Sequence, residues 1–186
     1  MKLAALPLIL ALVAAPACGG GGGESDPGGS PTPIAASFAP DQSSPGSNTV
    51  ALAEGSKAND IVTVNVTLTG TSGVYGTAFE VVYDATHTSY VGFAPGTAFE
   101  QGGVATQYQI TASPGATPPR IVIGISRTGS SGTNVSGTKV VVGLQFRVKQ
   151  TGVFPMTIEN AVVYDSQSTP QPIPGIAWYA GAVEGV

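Results

Sequence analysis

The feature that most constrains this chain is strict two-residue alternation. In Ile61 to Thr69, IVTVNVTLT, the apolar Val62, Val64, Val66 and Leu68 alternate with Thr63, Asn65, Thr67 and Thr69. That period gives a strand with one buried and one wet face. The pattern returns in Arg120 to Arg127, where Ile121, Ile123 and Ile125 face away from Val122, Gly124 and Ser126. It returns again in Lys139 to Lys149, with Val140, Val142, Leu144, Phe146 and Val148 inward. In Gly73 to Phe93, Phe79, Val81 and Tyr83 face inward and Ala78, Glu80 and Val82 outward; Tyr90 and Phe93 are also expected in the core. No stretch has a helical period. Only 10% of the 186 residues are charged, and 26 Gly and 15 Pro supply turns. An all-β, antiparallel β-sandwich of about nine strands follows.

Between these runs the chain reads as short strands and turns. Ile34 to Phe38 opens the domain, and 39–48 is a loop. Glu54 to Asp60 and Gly70 to Gly73 read as turns, and Thr128 to Thr138 as a polar loop. Val153 to Ile158 and Ala161 to Tyr164 read as separate strands, and Gly175 to Val183 closes the domain. There is no internal repeat.

The N-terminus is an address. Lys2 precedes an apolar run from Leu3 to Ala15, shorter than the roughly 20 residues of a membrane span. Ala15-Pro16-Ala17 then lead to Cys18, the only cysteine. Residues 1–17 resemble a bacterial lipoprotein signal peptide, with Cys18 the lipidated residue. Each acyl CH2 placed in a bilayer contributes about 0.8 kcal/mol. Gly19 rather than Asp after the cysteine resembles the pattern of export beyond the inner membrane. Residues 18–33 form a Gly/Pro/Ser-rich tether without periodic apolar residues, reaching roughly 20 Å as a flexible coil. Residues 34–186 form the globular domain. The expected place is the cell envelope, at the outer membrane or cell surface.

Catalysis is not expected. His87 is the only histidine and sits in a corner beside Asp84, and no strained nucleophile elbow or oxyanion-hole motif accompanies it. Asp41, Asp60, Asp84 and Asp165 belong to turns, without the spacing of a calcium loop, so no metal site or cofactor is expected. The seven Lys and Arg are scattered, which excludes a nucleic-acid stripe. Tyr75, Tyr90, Phe99, Tyr108, Trp178 and Tyr179 are the aromatics that could stack on sugars if exposed.

The order of motifs resembles the cohesin family. The carrying residues are Phe79, Tyr83-Asp84, Gly96, Ile121 to Gly129, Leu144 to Lys149 and Tyr164-Asp165-Ser166. Ala85 stands where the family usually has Pro, so the corner must rely on Asp84 bonding its own backbone. The resemblance implies a nine-stranded jelly roll, shared with some cellulose-binding modules. It also implies a surface module that binds dockerins, calcium-loaded partners attached to polysaccharide-degrading enzymes. The family's docking face would fall on the outward side of the strands Gly76 to Val82 and Val122 to Thr128. The matching positions are Gly76, Ala78, Glu80, Val82, Gly124, Ser126 and Arg127. Gly76 and Ala78 replace polar side chains of familiar members, and Arg127 stands where an acid is common. A carbohydrate-binding module, or a structural or adhesive surface lipoprotein, is the alternative on the same fold.

Overall fold

A computed structural model describes residues 33–186, which form one compact unit. The signal peptide, Cys18 and all of the tether but Pro33 lie outside the described residues.

The described chain contains ten strands. They are β1 (Ala36–Pro40), β2 (Thr49–Ala58), β3 (Ile61–Val82), β4 (Thr88–Pro95), β5 (Thr106–Ser113), β6 (Arg120–Arg127), β7 (Thr133–Val148), β8 (Gly152–Asp165), β9 (Ala177–Tyr179) and β10 (Gly181–Gly185). The fold is the expected β-sandwich with jelly-roll topology, with ten strands rather than nine.

The 22-residue β3 belongs to both sheets. Its first half, Ile61 to Thr69, pairs with β2 and β7; β4 lies beyond β7, and β9 beyond β2. Its second half, Val74 to Val82, pairs with β6 and β8. Beyond β6 lies β5, while β10 and then β1 continue from the first residues of β8.

Gly70 to Gly73 therefore does not reverse the chain. Gly70 and Gly73 have φ of +57° and +70°, and the register with β7 shifts on either side of Thr71. These residues bend a continuous strand from one sheet into the other. Turn-forming residues and strand-bending residues are the same residues, so composition alone does not separate the two. The same reason corrects three other expectations. The polar segment from Glu54 is a bulge, with β2 continuing to Ala58 before a turn at Asn59. β8 is one strand, bent at Asn160 with φ +49°. Thr133 to Thr138 is the start of β7.

The core is formed by the alternating residues of both sheets. Val62, Val64, Val66 and Leu68 face Phe79, Val81, Ile121, Ile123 and Ile125, with Leu144 and Phe146 among them. Tyr83 meets Phe146 edge-on at 5.5 Å, and Trp178 packs 5.7 Å from Phe79. Phe93 departs from expectation and keeps 42% exposure. It lies on an edge strand, after a register shift between Tyr90 and Gly92, with its ring against Tyr108 at 5.8 Å.

The β3–β4 corner is held by Asp84. One carboxylate oxygen accepts the N–H groups of Thr86 (2.8 Å) and His87 (3.2 Å), while the other pairs with His87 Nδ1. The imidazole stacks on Phe154 at 5.1 Å, and Lys149 Nζ donates to the Ala85 carbonyl. The corner thus replaces the missing proline with hydrogen bonds. The His87 side chain, then the two N–H groups, hold the Asp84 carboxyl below its usual value. A depressed folded-state pKa stabilises the fold above the unfolded value of about 3.9, and the contribution is lost as pH falls through the folded value. Asp84→Ala should lower Tm by a few degrees at pH 7. Thermal melts at descending pH should show that gap closing below about pH 4. A gap that stays constant to pH 2.5 would contradict this role.

Candidate functional site

The outer face of the β5–β6–β3–β8 layer gathers the residues singled out from sequence. Opposite one another in the β3–β6 ladder stand Gly76 and Ser126, Ala78 and Gly124, Glu80 and Val122, and Val82 and Arg120. The neighbouring strands extend each row. Gln107 and Tyr164 flank the first, Gln109 and Val162 the second, Thr111 and Glu159 the third, and Ser113 and Thr157 the fourth.

The face has two unlike halves. The half with Gly76, Ala78, Gly124 and Ser126 has almost no side-chain relief. Its Gly76, Gly124 and Ser126 form the floor of a shallow groove of about 690 Å3, with Gln107 and Gln109 on one side and Tyr75, Tyr164 and Pro170 on the other, and Ala78 lies in an adjoining depression with Gln109 and Val122. No residue lining this groove is charged. The other half carries Glu80, whose carboxylate accepts from Arg120 Nη1 at 2.8 Å. That pair runs diagonally across the ladder, the reach expected for long side chains on adjacent strands. Val122 stands beside it at 44% exposure.

The two glycines on this face exist for different reasons. A Cβ at Gly76 would sit 2.7 Å from the Ile125 carbonyl oxygen, so close backbone approach excludes any side chain there. A Cβ at Gly124 would meet only the Gln109 Cβ, at an ordinary 3.9 Å. Gly76 is required by the architecture; the bareness of Gly124 is not.

Arg127 is not on the face. It is 4% exposed and continues the inward period of Ile121, Ile123 and Ile125. Its guanidinium donates to the carbonyls of Phe99 and Ser131, which ties the 96–105 and 128–132 loops to the end of β6. The sequence comparison by position put it outward; the alternation of β6 puts it inward.

Several site residues were not singled out beforehand. Gln107, Gln109 and Tyr164 come to the face only because β5 and β8 flank β6 and β3, Pro170 follows β8 in the 166–171 segment, and Arg120 stands on β6 itself in the outward period of Val122, Gly124 and Ser126. The 166–171 segment that supplies Pro170 is held by Asp165. Its Oδ1 accepts from Gln171 N (2.9 Å) and Gln167 N (3.2 Å), and these contacts hold its carboxyl below the usual value, the Gln171 N–H contributing most.

The possible sugar-stacking aromatics do not form a row. Phe99 is buried, while Tyr90, Tyr108 and Trp178 pack against the core. The Tyr108 hydroxyl donates to the Gly96 carbonyl at 3.0 Å and accepts the Gly96 N–H at 3.2 Å. Tyr75 lines the groove and Tyr179 is 36% exposed elsewhere. Among the described residues no three His, Cys, Asp or Glu come together as a metal-holding group.

Known proteins match this architecture. The family model described as "Cohesin domain" matches residues 47–183. The sixth cohesin of Acetivibrio cellulolyticus scaffoldin B, solved in complex with a Cel5 dockerin, superposes with a TM-score of 0.52 at 22% identity, covering 81% of this chain and 97% of that one. The second type II cohesin of the ScaA scaffoldin of the same organism gives 0.54 at 11% identity, covering 78% and 85%. A cohesin from Clostridium acetobutylicum gives 0.52 at 16% identity, covering 73% and 87%. At these identities the structural likeness is one of fold. No curated protein sequence matches significantly.

Proposed function

The chain belongs to the cohesin family, and from that premise we propose that it is a non-enzymatic module that docks a dockerin-like protein on the β5–β6–β3–β8 face. The observation that carries the reading is the preformed, nearly bare strip of Gly76, Ala78, Gly124 and Ser126, bordered by amide and tyrosine side chains. A flat sheet face held by ladders on both sides loses little conformational freedom on binding. Gln107 and Gln109 each offer a donor and an acceptor to a partner's backbone or hydroxyls. Glu80, Val122 and Val82 extend the contact toward the other end, with Glu80 already held in place by Arg120.

On this reading Cys18 carries the lipid and residues 18–33 form the tether. The domain then holds its partner at the cell envelope, on the outer membrane or cell surface. The partner would be an extracellular enzyme of polysaccharide degradation. The calcium in such a complex belongs to the dockerin; among the described residues of this chain no group of three His, Cys, Asp or Glu comes together to hold one.

The test is a titration of the domain with calcium-loaded dockerin modules encoded in the same genome. Binding is expected with calcium and not after chelation. Incubation with insoluble polysaccharide should leave the domain in solution. Retention on the polysaccharide, with no dockerin bound, would overturn the docking reading in favour of a carbohydrate-binding module.

A further inference from the structure

The sandwich has four edge strands, and three of them are blunted. β1 is five residues long and ends in Pro40; its Phe38 N–H is taken by Glu54 Oε2 at 2.8 Å and its Ala36 N–H by the Asn59 carbonyl. β9 has three residues. β4 carries a register shift between Tyr90 and Gly92 and ends at Pro95. These are the devices by which sheets avoid edge-to-edge pairing. The fourth edge, β5, has none of them. Its eight residues, TQYQITAS, pair with β6 without a register shift and include no charge, no proline and no glycine. β5 pairs with β6 alone, so its other side is an open row of backbone donors and acceptors.

We propose that β5 pairs antiparallel with β5 of a second copy of this chain, about a two-fold axis at Ile110. The strand is self-complementary in that register. Tyr108 falls opposite Ala112, Ile110 opposite Ile110, Gln109 opposite Thr111, and Gln107 opposite Ser113. The inner face matches a large ring with a small side chain, and the outer face pairs amides with hydroxyls. With no charge on the strand, no like charges oppose one another, which is the usual barrier to self-pairing. Tyr108, Ile110 and Ala112 are only half-buried against the core of one copy, and the second copy covers their open flank. A two-fold axis perpendicular to the sheet makes one closed, isologous contact and stops at two copies. It also joins the two β5–β6–β3–β8 faces into a continuous sheet, with both grooves on the same side.

Sedimentation velocity on residues 33–186, which carry their own core, tests this. The expected weight-average mass rises from one copy to two with concentration. Q109K/T111K places ammonium groups opposite one another across the axis and should remain at one copy. Q109E/T111E should do the same, and an equimolar mixture of the two variants should recover two copies. Circular dichroism checks that each variant is folded. In the unmodified domain, edge-facing amides within 106–113 should gain hydrogen-exchange protection as concentration rises. A single copy at all concentrations, two copies in Q109K/T111K, no recovery in the mixture, or unchanged protection of β5 would each overturn the proposal.

Discussion

Gly124→Trp should weaken docking of the partner by roughly a hundredfold or more, about 3 kcal/mol, while Tm moves by less than about 2 °C. The size of the effect follows from position. Gly124 lies in the middle of β6, opposite Ala78 on one side and Gln109 on the other, at the floor of the groove. An indole there fills the strip that a flat partner surface must touch. The folded state tolerates it because a Cβ at Gly124 meets nothing closer than 3.9 Å. Replacing a strand glycine with an aromatic residue also favours the extended backbone. Gly76→Ala is the informative contrast. Its Cβ would press on the Ile125 carbonyl at 2.7 Å, so it should lower stability as well as binding. Calorimetric titration beside thermal melts separates the two. If Gly124→Trp binds like the unmodified domain, the docking face is elsewhere.

Arg127→Met should destabilise the domain by about 3 kcal/mol, a fall of roughly 6–12 °C in Tm. The guanidinium is buried at 4% exposure and donates to the carbonyls of Phe99 and Ser131. A thioether fills part of the volume and donates nothing, which leaves those carbonyls without this donor in the interior. Hydrogen bonds from a charged donor contribute about 1.5–3 kcal/mol each, and buried acceptors left unpaired are costly. Arg127→Lys keeps the charge but not the planar fork, and should recover only part of the loss. Denaturant unfolding measures both. A Met variant within 1 °C of the unmodified domain would remove Arg127 from any structural role.

The fold was legible because its core residues obey a two-residue period. Ile121, Ile123, Ile125, Val62, Val64 and Val66 announce an inward face without knowledge of their partners. Strand continuity was less legible. Gly70 and Gly73 are used to bend β3 between sheets, and a glycine supplies positive φ equally well for a reversal or a bend. The site was legible in part. Gly76, Ala78, Glu80, Gly124 and Ser126 could be placed on one side of their strands from alternation alone. Gln107, Gln109 and Tyr164 could not, because their approach depends on which strands neighbour β6 and β3, a long-range property that no local pattern encodes. Arg127 shows the opposite case. The period of its own strand put it inward, and positional resemblance overrode a signal that was already present.

Backbone amide shifts of the isotope-labelled domain, followed while a calcium-loaded dockerin is added, test the docking face most directly. Perturbations should concentrate in Gly76 to Val82, Gln107 to Thr111 and Arg120 to Ser126. Perturbations centred instead on the opposite sheet, at Thr63 to Thr69 and Gly143 to Arg147, would contradict it.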